Sequence, residues 1–219
     1  MRTPLKRRPS QESNGQAQLR HRTLPSDWFG HPRGLAILFL TEMWEKFSFF
    51  GMRAMLVYYM IGQLSIPQAK ASLIYGLYTA AVFLTPLFGA FVSDRWLGRR
   101  RAIVLGGIVM AAGHFMMASQ PLFYVALVTI ATGSGLLLPN LPSQIQDLYG
   151  ADDPRRASAY SVYYVGINAG ALLAPLVCGT VGELYGWHWG FTVAGIGMLV
   201  GLSTYLCGAR YLPPGLPVA

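Results

Sequence analysis

The chain has 219 residues, of which 53% are hydrophobic and only 12% charged, and its mean hydropathy is positive. That balance is too apolar for an ordinary soluble domain and points to a membrane protein. The formal net charge is +8, but the basic residues flank apolar segments instead of forming a stripe interleaved with aromatics in a soluble segment, which argues against a nucleic-acid partner.

The first 33 residues, "MRTPLKRRPSQESNGQAQLRHRTLPSDWFGHPR", are polar and basic. They lack the short apolar core and small-residue cleavage site of a signal peptide. Residues 1–27 are expected to be a disordered cytoplasmic tail, with Trp28 and Phe29 beginning the membrane interface. Apolar stretches near the length needed to cross a hydrocarbon core, about 20 residues, follow at 34–62, 72–93, 102–119, 121–148, 158–181 and 188–208. The expected fold is therefore an all-α membrane protein with six transmembrane helices across residues 28–212. Residues 213–219 form a cytoplasmic tail or the start of a linker.

Positive charge marks the cytoplasmic side. The tail, Arg95, Arg99, Arg100, Arg101, Arg155, Arg156 and Arg210 all fall on one side of such a six-span topology, against Lys70 alone on the other. Both termini are expected to be cytoplasmic, in a multi-pass protein of the inner or plasma membrane.

The first span contains "TEMWEKFSFFGMRAML", residues 41–56. At 100° per residue, Glu42, Glu45, Lys46, Phe49 and Arg53 share a sector of about 100°. Each charge at membrane depth costs at least ~2.5 kcal/mol on insertion scales, so this stripe must face protein or water. Glu42 and Lys46 have the favourable i,i+4 order, and Glu45 and Arg53 lie on the same side, so the stripe can be locally neutral. A bland reading is a salt-bridge network that only fixes packing. The functional reading is a water-filled cavity where carboxylates change protonation as partners come and go: losing a cation favours proton uptake, and restoring it favours release. A zwitterionic substrate would supply such a partner.

The rest of the chain carries little site chemistry. Cys178 and Cys207 fall inside spans and read as small hydrophobes. Gly106, Gly107, Gly133, Gly135, Gly166 and Gly170 read as close helix contacts, and Pro86, Pro139, Pro142 and Pro175 as bends. His114 reads as packing. His21, His31 and His188 lack metal-ligand spacing, so no metal is expected. An intramembrane serine hydrolase built on Ser134 and His114 lacks the local motif and a third orienting group, so no enzyme is expected.

The stretch "EMWEKFSFFGMRAML" resembles the E-x-x-E-R/K first-helix motif of proton-dependent oligopeptide transporters, a branch of the major facilitator superfamily. "GAFVSDRWLGRRRAIVLGGIVMAAG" is similar to that family's second-to-third helix signature, and "YSVYYVGINAGALLAPL" to its fifth-helix signature. "GSGLLLPNLPSQIQDLYG" and "GELYGWHWGF" also look like family segments, so the resemblance runs from about Trp28 to Leu212.

The resemblance implies the N-terminal half of a major facilitator fold, a 3+3 inverted repeat, and a proton-coupled symporter of di- and tripeptides. By resemblance, Glu42, Glu45 and Lys46 serve proton coupling, and Arg53 faces the peptide carboxylate. Asn168 with Tyr164 contacts the peptide backbone, and Asp94 and Arg95 belong to a cytoplasmic gate. Phe49, Phe50 and Phe83 occupy substrate-site positions where many relatives carry tyrosine, so three hydroxyls are missing. Leu138 stands where many relatives carry a lysine. No cofactor is implied beyond protons as the coupling ion. The expected partners are di- and tripeptides, membrane lipid, and either a missing C-terminal half or a second copy. The alternatives are a non-transporting substrate sensor and an inactive truncated fragment.

Overall fold

The computed structural model describes residues 26–149 and 152–213. A short antiparallel hairpin precedes the helices: β1 (Ser26–Trp28) pairs with β2 (His31–Pro32), Trp28 opposite His31. Its turn uses positive φ at Phe29 (49°) and Gly30 (82°). The sequence implies tail and interface here, and the hairpin carries no signal in it.

Helix α1 (Arg33–Gly62) has 30 residues, about 45 Å at 1.5 Å per residue. Helix α2 (Gln68–Val92) contains Pro86 and runs on into a π turn, Ser93–Leu97, that ends at Gly98. Gly98 has φ of 74°, a conformation costly for any residue with a Cβ, and it reverses the chain into α3 (Arg99–Met116). Helix α4 (Phe123–Leu137) stops before Pro139, which has no N–H to continue the ladder. The shorter α5 (Asn140–Leu148) takes up the same apolar segment. Helix α6 (Arg155–Ala174) passes through a π turn at Pro175–Gly179 into α7 (Thr180–Tyr185). Gly186, with φ of 104°, begins the last helix, α8 (Trp187–Gly208).

Four helical segments are long and apolar enough to cross a membrane: Gln68–Leu97, Gln120–Leu148, Arg155–Tyr185 and Trp187–Tyr211. Against the six expected spans, α1 and α3 do not meet that standard. Helix α1 has the length but carries internal charges, and α3 has 18 residues beginning with three arginines.

The helices pack in the spatial series α2, α4, α3, α8, α1, α6. This series places α1 between α6 and α8 and leaves α2 and α6 at its two ends. Burial follows: 17% and 28% of the most apolar stretch is buried in the α2 and α6 segments, against 50% in the other two. The core is apolar, with Met52, Leu56, Met110, Ile130, Phe191 and Met198 fully or almost fully enclosed.

Small residues set the closest approaches. A Cβ at Gly133 would stand 2.5 Å from Met110 N and 2.7 Å from the Gly106 carbonyl, both backbone atoms. A Cβ at Gly89 would collide with the Gly135 carbonyl oxygen, so α2 and α4 touch backbone to backbone. The glycine contacts expected from sequence are thus real helix crossings.

Candidate functional site

Helix α1 places Glu42, Glu45 and Lys46 on one face because they recur at spacings of three and four residues. That face is covered: Gly170 of α6 lies against Lys46 and Phe47, and Gly201 of α8 against Trp44. Absence of a side chain at those two positions lets the neighbours close over the charges. Glu42 is 2% and Glu45 0% exposed.

Lys46 Nζ donates to Glu45 Oε2 at 2.5 Å and lies 3.1 Å from Glu42 Oε1. One ammonium therefore bridges two carboxylates. The second oxygens, Glu42 Oε2 and Glu45 Oε1, make no hydrogen bond among the described residues. Tyr163 of α6 stands beside Glu42, and Tyr78 of α2 lies within electrostatic reach of Glu45 and Arg53. Both phenols are buried, and among the described residues neither reaches a partner at full hydrogen-bond geometry. Ionisable groups this enclosed, with polar atoms left unsatisfied, mark a functional site more often than a structural one.

Arg53 belongs to a second cluster, two turns further along α1. Its Nε and Nη2 donate to Tyr75 OH of α2 at 3.0 and 2.5 Å. Its guanidinium carbon lies 5.4, 5.9 and 5.2 Å from the ring centroids of Phe49, Phe50 and Tyr75, within cation–π range. Among the described residues Arg53 forms no ion pair. The sequence allowed Glu45 to balance Arg53; instead Glu45 is held by Lys46, and Arg53 keeps its charge inside an aromatic cage.

The other expected contact residues sit apart from these clusters. Phe83 is 74% and Tyr164 60% exposed, on α2 and α6, the end helices of the series. Asn168 is exposed too, and its Nδ2 donates to the Tyr164 carbonyl at 2.8 Å within α6. That bond is intrahelical and ties Asn168 to no other helix. Asp94 and Arg95 are exposed on the π turn and form no ion pair among the described residues. The ties at that end come from unpredicted neighbours. Ser93 donates to Asn140 Oδ1 at 2.7 Å, Arg99 grips both oxygens of Asp147 at 3.0 and 2.8 Å, and Gln144 donates to Tyr205 OH at 2.7 Å. Leu138 is half-buried at the α4–α5 break.

The hairpin is fastened at the same end. His31 Nδ1 and Tyr149 OH are 2.8 Å apart, and Arg155 donates to the Gly30 carbonyl at 3.0 Å while pairing with Asp153 at 2.8 Å. The hydrogen-bonded Arg155 guanidinium holds the Asp153 carboxyl below the usual carboxylate range. Burial pushes the Tyr149 phenol up to about 12.

His114 and Ser134 are both fully buried, but among the described residues neither makes a side-chain hydrogen bond, to the other or to a third group. The hydrolase pair weighed from sequence is not assembled. No cluster of metal-ligating residues occurs among the described residues, and His21 lies outside them.

A family model described as PTR2, the POT family, matches residues 100–213. The chain is 44% identical over 186 residues to the uncharacterized transporter YclF of Bacillus subtilis (strain 168), covering 81% of this chain and 38% of that one. It is 44% identical over 197 residues to a di-/tripeptide transporter of Lactococcus lactis subsp. lactis (strain IL1403), covering 85% and 40%. Among solved structures it superposes on a peptide transporter POT in complex with sulfate with a TM-score of 0.84 at 40% identity, covering 89% of this chain and 41% of the other. The chain thus spans about two fifths of the length of the curated relatives it matches. The family match over more than half its length, with the shared fold, makes the chain a member of the POT family.

Proposed function

We propose that this chain supplies the six-span, 3+3 inverted-repeat N-terminal half of a proton-coupled di- and tripeptide symporter, and that it is not an enzyme. Residues 28–212 form the bundle, between a basic tail at 1–27 and a short segment at 213–219. Both termini are cytoplasmic, in an inner or plasma membrane. Helices α1 and α3 are the two spans that length and apolarity miss, because one carries the coupling charges and the other the cytoplasmic arginines.

The buried arrangement of Glu42, Glu45 and Lys46 carries this reading. Two carboxylates against one ammonium leave a formal charge of −1, so one proton brings the group to neutrality. A group poised between those states, enclosed by α6 and α8, is suited to hold the coupling proton. Arg53, caged by Phe49, Phe50 and Tyr75, offers an unpaired cation to the carboxylate of a peptide. Asn168, Tyr164 and Phe83 lie on faces open to a complementary half, where they would line the rest of the peptide site. Asp94 and Arg95 act at the cytoplasmic gate, and no cofactor other than the proton takes part. The di-/tripeptide transporter among the relatives supports the same substrate class.

The test uses proteoliposomes that contain this chain with a complementary C-terminal half. Dipeptide uptake should accelerate under an inward proton gradient, and Glu45→Gln should abolish that acceleration. Gradient-driven uptake that is unchanged by Glu45→Gln would remove the residue from the coupling step.

A further inference from the structure

The two buried acids of α1 differ in what faces their oxygens. Lys46 Nζ donates to Glu45 Oε2 at 2.5 Å and lies 3.1 Å from Glu42 Oε1. It serves both acids, so it does not choose between them. Tyr163 does choose, because its hydroxyl stands beside Glu42. Lys46 occupies Oε1 of that acid, which leaves Oε2 open to the phenol, and both of these atoms are buried without another partner among the described residues.

Helix α6 delivers the phenol by its pattern. Tyr163, Gly166 and Gly170 recur at spacings of three and four residues and so share a face. Gly166 rests on Phe39 of α1 and Gly170 on Met43 and Lys46. Tyr163 is thereby enclosed at 3% exposure, with the Tyr164 ring 6.3 Å from its own. From α2, Tyr78 lies within electrostatic reach of Glu45, together with Arg53 and Tyr75. From α8, Gly201 backs the Glu45 amide nitrogen and brings no side chain.

A proton that neutralises the group needs an oxygen that does not already face a donor. Neither oxygen of Glu42 qualifies. A hydrogen on Oε1 would point at the Lys46 ammonium, and one on Oε2 would point at the Tyr163 hydroxyl, whose own hydrogen would then lose its acceptor inside the bundle. On Glu45, Oε2 faces the ammonium, whereas Oε1 makes no hydrogen bond among the described residues.

We propose that Tyr163 is a positioning residue that keeps Glu42 ionised and so directs the coupling proton, arriving from water, to Oε1 of Glu45. This role rests on the coupling function proposed for the acidic group and adds to it the residue that selects the acid. The phenol belongs to α6 and the acids to α1, so the packing of the two helices sets where the proton sits.

The experiment is an acid titration of the purified chain in detergent, read by carbon-13 NMR of glutamate side chains labelled at Cδ. The glutamates are Glu12, Glu42, Glu45 and Glu183, so a Glu12→Asp, Glu183→Asp background leaves Glu42 and Glu45 as the reporters. Glu42→Asp and Glu45→Asp, which keep the charge, assign the two signals. The Glu45 signal should move to the protonated position first while Glu42 stays ionised. Tyr163→Phe should raise the share of that proton held by Glu42 about tenfold or more, the equilibrium equivalent of one hydrogen bond to a charged group. Tyr78→Phe should leave the proton on Glu45. The proposal is overturned if Glu42 takes the first proton, if neither acid takes one, if Tyr163→Phe leaves the shares as they were, or if Tyr78→Phe shifts them equally. The first two outcomes are read on the unchanged site and hold even if the variants do not fold. Gradient-driven uptake in proteoliposomes with a complementary half separates the two readings. A proton on Glu45 without such uptake would sink the transport role alone, and uptake with the first proton on Glu42 would sink the role of Tyr163 alone.

Discussion

Lys46 and Glu45 are sequence neighbours on α1, yet their side chains meet at 2.5 Å inside the bundle. Adjacent residues on a helix diverge by about 100°, so this contact needs the long lysine side chain to fold back beneath Glu45 while also reaching Glu42 at 3.1 Å. Such a lysine is held by both acids and committed to neither.

Removal of that lysine leaves two buried carboxylates unpaired. Lys46→Met is expected to destabilise the chain by about 3–5 kcal/mol, the range for breaking a buried ion pair on one side. Thermal unfolding in detergent measures it. The triple change Lys46→Met, Glu42→Gln, Glu45→Gln should recover most of the loss, because the uncompensated charges are gone.

The crossing of α3 and α4 gives a contrast between two glycines. Gly133→Ala puts a methyl 2.5 Å from the Met110 amide nitrogen, and backbone cannot turn aside as a side chain can. The expected cost is about 1–3 kcal/mol. Gly76 in α2 has open space where a Cβ would go, and Gly76→Ala is expected to be neutral or stabilising by up to about 1 kcal/mol. Denaturation of the two variants side by side is the check.

Arg99 and Asp147 join the start of α3 to α5 by a two-pronged grip, each about 30% exposed. A double-mutant cycle on Arg99→Ala and Asp147→Ala should yield a coupling of about 0.5–1 kcal/mol that shrinks as salt is raised.

The hairpin contact should respond to acid in one direction only. Arg155 lowers the folded-state pKa of Asp153 relative to the unfolded chain. Its contribution is therefore full above the ordinary carboxylate range and is lost as pH falls through the depressed folded value. The pair is partly exposed, so its contribution is under about 1 kcal/mol. Protection of the Gly30 and His31 amides, taken relative to the intrinsic exchange rate at each pH, should be unchanged from pH 7 to pH 5 and should fall only in stronger acid. Asp153→Asn should remove that acid step.

Periodicity brought Glu42, Glu45 and Lys46 onto one face because helix geometry fixes angular position, and the ion-paired group follows from it. What periodicity lacks is the identity of the facing helix. Tyr75, Tyr78 and Tyr163 sit in apolar stretches where a tyrosine reads like any aromatic, so their approach to Arg53 and Glu42 was not legible. Asp147 and Ser93 were hidden for a related reason: their partners lie 48 and 47 residues away in sequence. The apolar run 121–148 was correctly seen as one helical segment, with proline bends anticipated, but its division into α4 and α5 depends on how the chain beyond Pro139 packs against α3 and α1. The hairpin before α1 has no sequence pattern of its own, since only three and two residues pair.

The backbone meeting of α2 and α4 bears on the break at Pro139. Proline has no N–H to offer the carbonyl four residues earlier, which is that of Gly135. Gly89 brings a Cα hydrogen toward this same oxygen, where any other residue would bring a methyl or larger group. A weak C–H donor from a second helix thus stands in for the missing amide. The kink and the crossing are one element: α4 can bend at this level because α2 is there to meet the oxygen it releases.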